Sequence, residues 1–523
     1  MLVAGLWLAL VPAASAMPAS VSLATDDTTL SPIAMVARGA QRTIAVGALQ
    51  RAYVRFTVTS TAGIPVQRAV LRLWTVDGTR ASTSVRSASP SWSEARITQP
   101  TVPEPAGVTL ATLPAARAGR WAEYDVTRAL AGDGTYAFVV GGVSLDGARF
   151  AAREAGAATA PQLVVTPMTP PQEIGAYVGD PARATAHRYG ATDDRGVSLD
   201  GLKAIAMPRG RGYLGVSHAF ARGVFRTQVV TSTDLMSWRH VRDLADHASQ
   251  PTIAALADGS LLVAYERDVA DPDPAVVNRS SLVVQRYADA GALVGGAAPV
   301  QEVAPARTLS QWSEGTPSIR RATLSPDGKR SEIVVDLHYL RAGSGGRQDV
   351  DRQGTAVLRN FRHWSASALP ALDAQFDALG VHGNLGDRDD ATFRGVPVRL
   401  FEGQARRRDF STFRIYRNGA AGDPPIPVAI RTEGGSTAFG NPTLSVLRSP
   451  SGRLAVFSTA FVFAEGAARG EAGALLMLRE VADAPRQPRG GRAGRRVGRW
   501  RPSPRTAFGG PAGVQHVRRA GST

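Results

Sequence analysis

Gln250-Pro-Thr-Ile253, the turn Asp258-Gly259 and the apolar run Leu261-Leu-Val-Ala-Tyr265 form one unit of sequence. The unit recurs. Thr316-Pro-Ser-Ile319 is followed by Asp327-Gly328 and Ile333-Val-Val-Asp-Leu337. Asn441-Pro-Thr-Leu444 is followed by Ser451-Gly452 and Leu454-Ala-Val-Phe457. The three prolines stand 66 and 125 residues apart, and 125 is nearly twice a period of about 62. A copy is therefore expected near residue 380, where Gly383-Asn-Leu-Gly386 precedes Gly395 and Val396–Leu400. Another is expected near Ser198-Leu-Asp200, ahead of Lys203–Met207 and Tyr213–Ser217. Strand-and-turn units of this length pack around an axis, because one small sheet cannot bury both its faces alone. The expectation is a five-bladed β-propeller over residues 173–482.

Upstream, residues 20–167 alternate with a period of two. Ala52-Tyr-Val-Arg-Phe-Thr-Val58, Ala69-Val-Leu-Arg-Leu-Trp-Thr-Val76 and Thr135-Tyr-Ala-Phe-Val-Val140 are examples, separated by Gly, Asp or Pro. That pattern predicts antiparallel strands in a jelly-roll-like β-sandwich, and an all-β protein throughout. Residues 168–172, Met-Thr-Pro-Pro-Gln, are expected to be a Pro-rich linker.

Composition narrows the function. With 44% apolar and 20% charged residues, the 523-residue chain has material for a large core. The 54 Gly and 34 Pro favour turns over long helices. Zero cysteines exclude disulfides, thiolate catalysis and Cys-bound zinc. The net charge of +16 suggests nucleic acid at first sight, but ten arginines and no acid fall within residues 486–523. Residues 483–523 therefore read as a disordered Arg-rich tail, and neither nucleic acid nor membrane is an expected partner. Residues 1–16, MLVAGLWLALVPAASA, read as a signal peptide, with Ala14-Ser-Ala16 as its cleavage site. The expectation is a secreted monomer.

Two stretches resemble known families. Arg51-Ala-Tyr-Val-Arg-Phe56, Ser91-Trp-Ser-Glu94, Gly119-Arg-Trp-Ala-Glu-Tyr-Asp-Val-Thr127 and Phe150-Ala-Ala-Arg-Glu-Ala-Gly156 resemble the DNRLRE-type domain, or family 96 carbohydrate-binding module. The resemblance implies polysaccharide as partner. Ser232-Thr-Asp-Leu-Met-Ser-Trp238 resembles a blade strand of the glycoside hydrolase family 43-type propellers. That likeness implies an acid on the third blade, which Glu314 matches, and a base on the first, which Asp200 or Asp194 supplies. It also implies an aspartate on the second blade, where this chain has Gln250; Asp387 or Glu266 would have to substitute.

Strand alternation places Glu314 on the face of Thr316, so Asp200, Glu314 and Asp387 are the expected catalytic carboxylates. The expected sugar contacts are Gln250, Glu266, Trp312, His382, Arg388, Asp389, Glu402 and Asn441, with Arg153 and Glu154 in the first domain. No cofactor is expected. The acidic run Asp387-Arg-Asp-Asp390 offers oxygen ligands that suit a structural calcium ion. Two other functions fit the residues: a non-catalytic polysaccharide-binding or adhesion protein, and a propeller polysaccharide lyase using His382 with Arg388.

Overall fold

In the computed structural model, described residues are 18–32, 38–269, 279–325, 330–419 and 422–483. The signal-like segment, the Arg-rich tail and the Asp327-Gly328 turn lie outside them.

Two antiparallel sheets make up the first region. One has the order Ser20–Leu23, Gln162–Pro167, Val66–Asp77, Ala148–Ala151, Thr43–Val46, and Trp121–Asp125 also pairs with the long third strand. The other runs Asp26–Leu30, Arg51–Val58, Gly134–Gly142, Thr83–Ala88, Ala106–Leu113. Alternation does what the sequence implies. Ala52, Val54, Phe56 and Val58 enter the same core as Leu71, Leu73, Phe150 and Leu163 of the facing sheet. The Val, Leu and Phe side chains among these each contribute roughly 1.5–3 kcal/mol by burial.

The Pro-rich stretch is not an open linker. It runs into helix α1, Pro170–Val178. Proline is compatible with a helix's first turn, where its missing N–H is needed by no one. Gln172 Oε1 takes the Thr169 N–H at 2.8 Å and fixes the helix start. Ile174 and Val178 pack among Phe393, Val398, Leu444 and Val456. Glu173, fully buried, pairs with Arg394 at 3.0 Å.

Five four-stranded antiparallel sheets follow. The first is Asp200–Ala206, Tyr213–Ala221, Val224–Ser232, Arg239–Asp246. The second is Ala248–Ala255, Leu261–Asp268, Ser280–Tyr287, Gln301–Val303. The third is Glu314–Leu324, Ser331–Ala342, Gln348–Arg359, His363–Ala368. The fourth is Arg388–Phe393, Val396–Gln404, Phe413–Asn418, Ile426–Pro427. The fifth is Phe439–Arg448, Leu454–Val462, Gly473–Glu480, completed by Ala186–Arg188 from before the first sheet. First strands touch first strands around the series, and the fifth touches the first. The pairing of Ala186–Arg188 with Gly473–Glu480 ties the two ends of the series together.

Apolar side chains fill the spaces between successive sheets. Leu202, Val230 and Trp238 meet Phe457 and Leu476; Leu214 and Val229 meet Ile253 and Val263. Ser232–Trp238 is a turn whose chemistry is structural. Ser232 Oγ accepts the Leu235 N–H at 2.8 Å, Asp234 Oδ1 accepts from Met236 and Ser237, and Trp238 Nε1 donates to the Leu235 carbonyl at 2.9 Å.

Candidate functional site

The recurring proline follows a backbone irregularity. In the first, second, third and fifth sheets the first strand slips its register at equivalent places, Asp200/Lys203, Ser249/Thr252, Gly315/Ser318 and Gly440/Thr443, and the third slips again at Ile319/Arg321. At each of the equivalent places one residue takes a positive φ: Gly201 at 58°, Gln250 at 51°, Thr316 at 43° and Asn441 at 46°. For the three non-glycines this costs about 1 kcal/mol or more apiece, and such strain persists only where the surroundings enforce it. The prolines, with no N–H to place, are residues 251, 317 and 442.

The enforcement comes from equivalent positions on the second strands. His218 lies opposite Asp200, Glu266 opposite Ser249, His338 opposite Gly315 and Phe461 opposite Gly440. In the fourth sheet the Glu402 N–H bonds the Asp387 carbonyl, so Glu402 holds the corresponding place. These side chains catch the strained residues of the next sheet. The Gln250 N–H donates to His218 Nδ1 at 3.3 Å, the Thr316 N–H to Glu266 Oε2 at 3.0 Å and the Asn441 N–H to Glu402 Oε2 at 2.7 Å. Gly315 is glycine for this reason: a Cβ there would stand 2.0 Å from Glu266 Oε2.

Asp200 sits at the centre of the arrangement. Asn441 Nδ2 reaches both its oxygens, at 2.9 and 3.0 Å, and His218 Nε2 lies 3.3 Å from Oδ2. Because His218 Nδ1 accepts from Gln250, its proton belongs on Nε2, facing the carboxylate. Gln250 Nε2 donates to Asn441 Oδ1 at 3.3 Å, which fixes that amide's orientation.

Asp387 and Glu402 are both buried. Burial pushes Asp387 well above the usual carboxylate range, and the charges of Glu402, Asp200 and Glu266 push it further. Burial raises Glu402 to about 7, against the pull of N–H groups from Asn441 and Asp387. Asp351 is also raised, chiefly by burial, with His338 3.9 Å away. His338 Nδ1 lies 2.7 Å from the Thr316 hydroxyl.

Beneath the bulges the axis is closed. Lys203 Nζ bonds Asp389 Oδ2 and the Leu444 carbonyl, each at 2.6 Å, and the Leu444 N–H donates to Asp389 at 2.8 Å. The cavity between this plug and Gln250, Thr316 and Asp387 measures about 30 Å³. That holds about a water and no sugar ring. A ligand therefore meets these groups from the bulge side.

Several expected site residues lie elsewhere. Glu314 does not join Asp200 and Asp387. The positive-φ bulge begins two residues later and breaks the alternation on which that expectation rested. The Glu314 carboxylate clamps the backbone N–H groups of Thr308, Leu309 and Ser310. Trp312 is only 8% exposed and presents no stacking face. Arg388 turns between sheets to Asp336 at 2.6 Å, while His382 stays exposed on its loop, so the base-and-cation pair of a lyase is not assembled. Asp389 serves the plug. Asp389 and Asp390 share the Ser318 hydroxyl, at 3.2 and 3.4 Å, but among the described residues no group of three or more His, Asp or Glu is arranged to hold a metal ion. In the first region Arg153 pairs with Glu94 and Glu154, and its N–H donates to Asp27 at 2.6 Å.

His218, His338 and Asp351 were not anticipated, although each faces the site. His218 and His338 occupy matching positions in the second strands of the first and third sheets, with Glu266 in that place between them, a signal visible only after the bulges are aligned. Phe220 and Phe225 were also missed. They form an edge-to-face pair at 5.2 Å on the hairpin beyond His218, with Phe225 5.6 Å from the His218 ring and Phe220 66% exposed.

Residues 21–167 match the model of carbohydrate-binding module family 96. No curated protein matches the sequence. Among solved structures, the chain is similar to a thermostable family-43 glycoside hydrolase (11% identity, 58% of this chain, 99% of that chain, TM-score 0.38). It is also similar to the GH43 endo-arabinanase from Bacillus licheniformis (12% identity, 56% of this chain, 96% of that chain, TM-score 0.32).

Proposed function

We propose that this chain is a secreted carbohydrate-active protein, in which residues 21–167 hold a polysaccharide and a five-bladed propeller cleaves its glycosidic bonds. The observation that carries the proposal is the pairing of Asp200 with the Asp387–Glu402 couple at the bulge end of the axis. Glycoside cleavage needs a carboxylate to attack or to activate water, and a second carboxyl that still holds a proton. Asp200 fits the first role, oriented by Asn441 and His218. Glu402, raised to about 7 by burial and near enough that its charge raises Asp387, fits the second. Glu314 has no part in the reaction. The exposed face of Phe220 offers an apolar surface to a sugar ring beside Asp200. In the first region, Trp74 and Trp121, edge to face at 5.4 Å and half-buried, offer another.

The test is a panel of plant, algal and bacterial polysaccharides, scored for reducing-end release and for pull-down on insoluble forms. Release that is lost in Asp200→Asn and in Glu402→Gln, with pull-down kept, supports the reading. Pull-down that weakens in Trp121→Ala places binding in the first region. A second reading, a propeller that binds polysaccharide without cleaving it, is favoured by one observation. The carboxylates of Glu266 and Glu402 each already accept a backbone N–H, as purely structural clamps would. Pull-down with no release across the panel establishes that reading instead.

A further inference from the structure

Among the described residues three phenylalanines are exposed, Phe220, Phe225 and Phe410. All three lie at the bulge end of the five-sheet region. Phe220 and Phe225 flank the hairpin beyond His218. Phe410, 45% exposed, stands in residues 405–412, which join the second and third strands of the fourth sheet. Its ring centroid lies 5.3 Å from that of Phe463 and 5.7 Å from that of Phe413, and Phe463 lies 5.4 Å from Phe461. Phe413 is buried and anchors the group, while Phe461 and Phe463 are half-buried. Phe461 holds in the fifth sheet the second-strand place that the other sheets give to His218, Glu266, His338 and Glu402.

These rings border the carboxylates. A Cβ on Gly440 would stand 2.5 Å from the Phe463 ring and 2.6 Å from Glu402 Oε2, so ring and carboxylate meet over one glycine. Asn441, the next residue, gives its N–H to Glu402 and its side-chain amide to Asp200. Phe225, His218, Asp200, Asn441, Glu402 and Phe463 thus follow one another across the mouth, with an aromatic surface at either end.

The loops that carry the second surface are braced. Arg406 pairs with Asp409 at 2.6 Å, and the Thr412 hydroxyl donates to the Asp409 carbonyl at 2.7 Å. On the fifth sheet the Ala468 N–H donates to Ser436 Oγ at 2.8 Å, and that hydroxyl donates to Glu471. An exposed phenyl ring on a fixed loop adds little to the core, and it offers a ligand a surface already ordered. A ring without polar atoms suits the C–H face of a sugar.

We infer that Phe410, Phe461 and Phe463 form a sugar-binding subsite on the Glu402 side of the mouth. The ligand is a saccharide chain lying across the mouth, with one ring here and another at Phe220. Occupancy of the subsite does not depend on cleavage. Its direction rests on the proposed function: with Glu402 as proton donor, the ring held here is the one that leaves.

The experiment is affinity electrophoresis of the full chain carrying Trp121→Ala and Asp200→Asn, which removes the tryptophan face of the first region and stops cleavage. The gels contain soluble arabinoxylan, galactan, laminarin or dextran. Retardation by at least one of them is expected. Adding Phe410→Ala is expected to raise its Kd at least fivefold, and Phe410→Trp, which keeps an aromatic face, to restore the affinity. Phe463→Leu carries the same expectation as Phe410→Ala. Affinity unchanged in both variants would overturn the subsite, as would the absence of retardation by all four polysaccharides. Direction is read from cleavage by the chain with Asp200 intact. Phe410→Ala is expected to lose at least tenfold more kcat/KM on the polysaccharide than on the glycosyl fluoride of the released sugar, whose leaving fluoride cannot reach the rings. Equal losses on both substrates would overturn the leaving-side assignment. Weakened binding in Phe410→Ala by a chain that releases no sugar keeps the subsite and removes the proposed cleavage.

Discussion

In residues 20–167 two sheets share one apolar core, and charged groups are held at its rim. Asp26, paired with Arg55, and Asp27 are buried instead; Asp27 is 1% exposed, with one oxygen lacking a donor among the described residues, and burial raises it to about 7. In the five-sheet region the apolar clusters lie between sheets, and the centre collects Asp200, Glu266, Asp387 and Glu402 with His218 and His338. A two-sheet packing has one interior and fills it with oil. A ring has an axis that its sheets cannot close with apolar side chains alone, because strand ends converge there and bring backbone N–H groups with them. The carboxylates and imidazoles answer those N–H groups. Under the proposed function the first region works on an outer face and the second at its centre.

The largest expected effect falls on the centre. Asp200→Asn keeps the Asn441 contact but removes the charge, and is expected to lower turnover on the polysaccharide identified by the panel on the order of 1,000-fold, with the melting temperature little changed. An equal loss of fold would make Asp200 a structural residue like Asp27.

The next effect is pH dependence. Glu402 stands near 7 in the folded chain against 4.5 as its ordinary value. Between these values the folded state binds more protons than the unfolded one, so stability is highest below pH 4.5 for this group and falls as pH rises towards 7. The total is about 3 kcal/mol, levelling off above. Urea unfolding across this window is expected to show a downward slope that Glu402→Gln flattens. A slope unchanged in the variant would assign the buried protons to other carboxyls, Asp27 among them.

Gly315→Ala drives a methyl group into Glu266 while Glu266 is bound to Thr316, and is expected to cost about 2 kcal/mol by urea unfolding. The smallest effect belongs to the two-sheet core. Tyr124→Phe removes the 2.8 Å bond to the Thr83 hydroxyl and leaves the ring in place, for about 1 kcal/mol. A larger loss there than at Gly315 would reverse the contrast between the two regions.

Much of the architecture is legible in particular residues. The period-two run Arg51–Val58 is a strand with its alternate side chains in the core, and Pro251, Pro317 and Pro442 mark equivalent first strands. The fourth sheet carries no such proline; it has no bulge and pairs regularly from Arg388 to Phe393. The proline run at 170–171 misleads, because a proline that breaks a helix interior also suits its first turn.

For the site, residue type was a better guide than spacing. Asp200, Gln250, Asp387, Glu402 and Asn441 come together, whereas Glu314 obeys the alternation argument on paper and leaves the site in the fold. Composition and periodicity determine that the chain is all-β and made of small repeated sheets, because burial of alternate side chains is a local property. Whether Glu314 faces the axis is decided by the positive φ of Thr316, two residues on. That conformation is held by Glu266 of the preceding sheet, which accepts the Thr316 N–H.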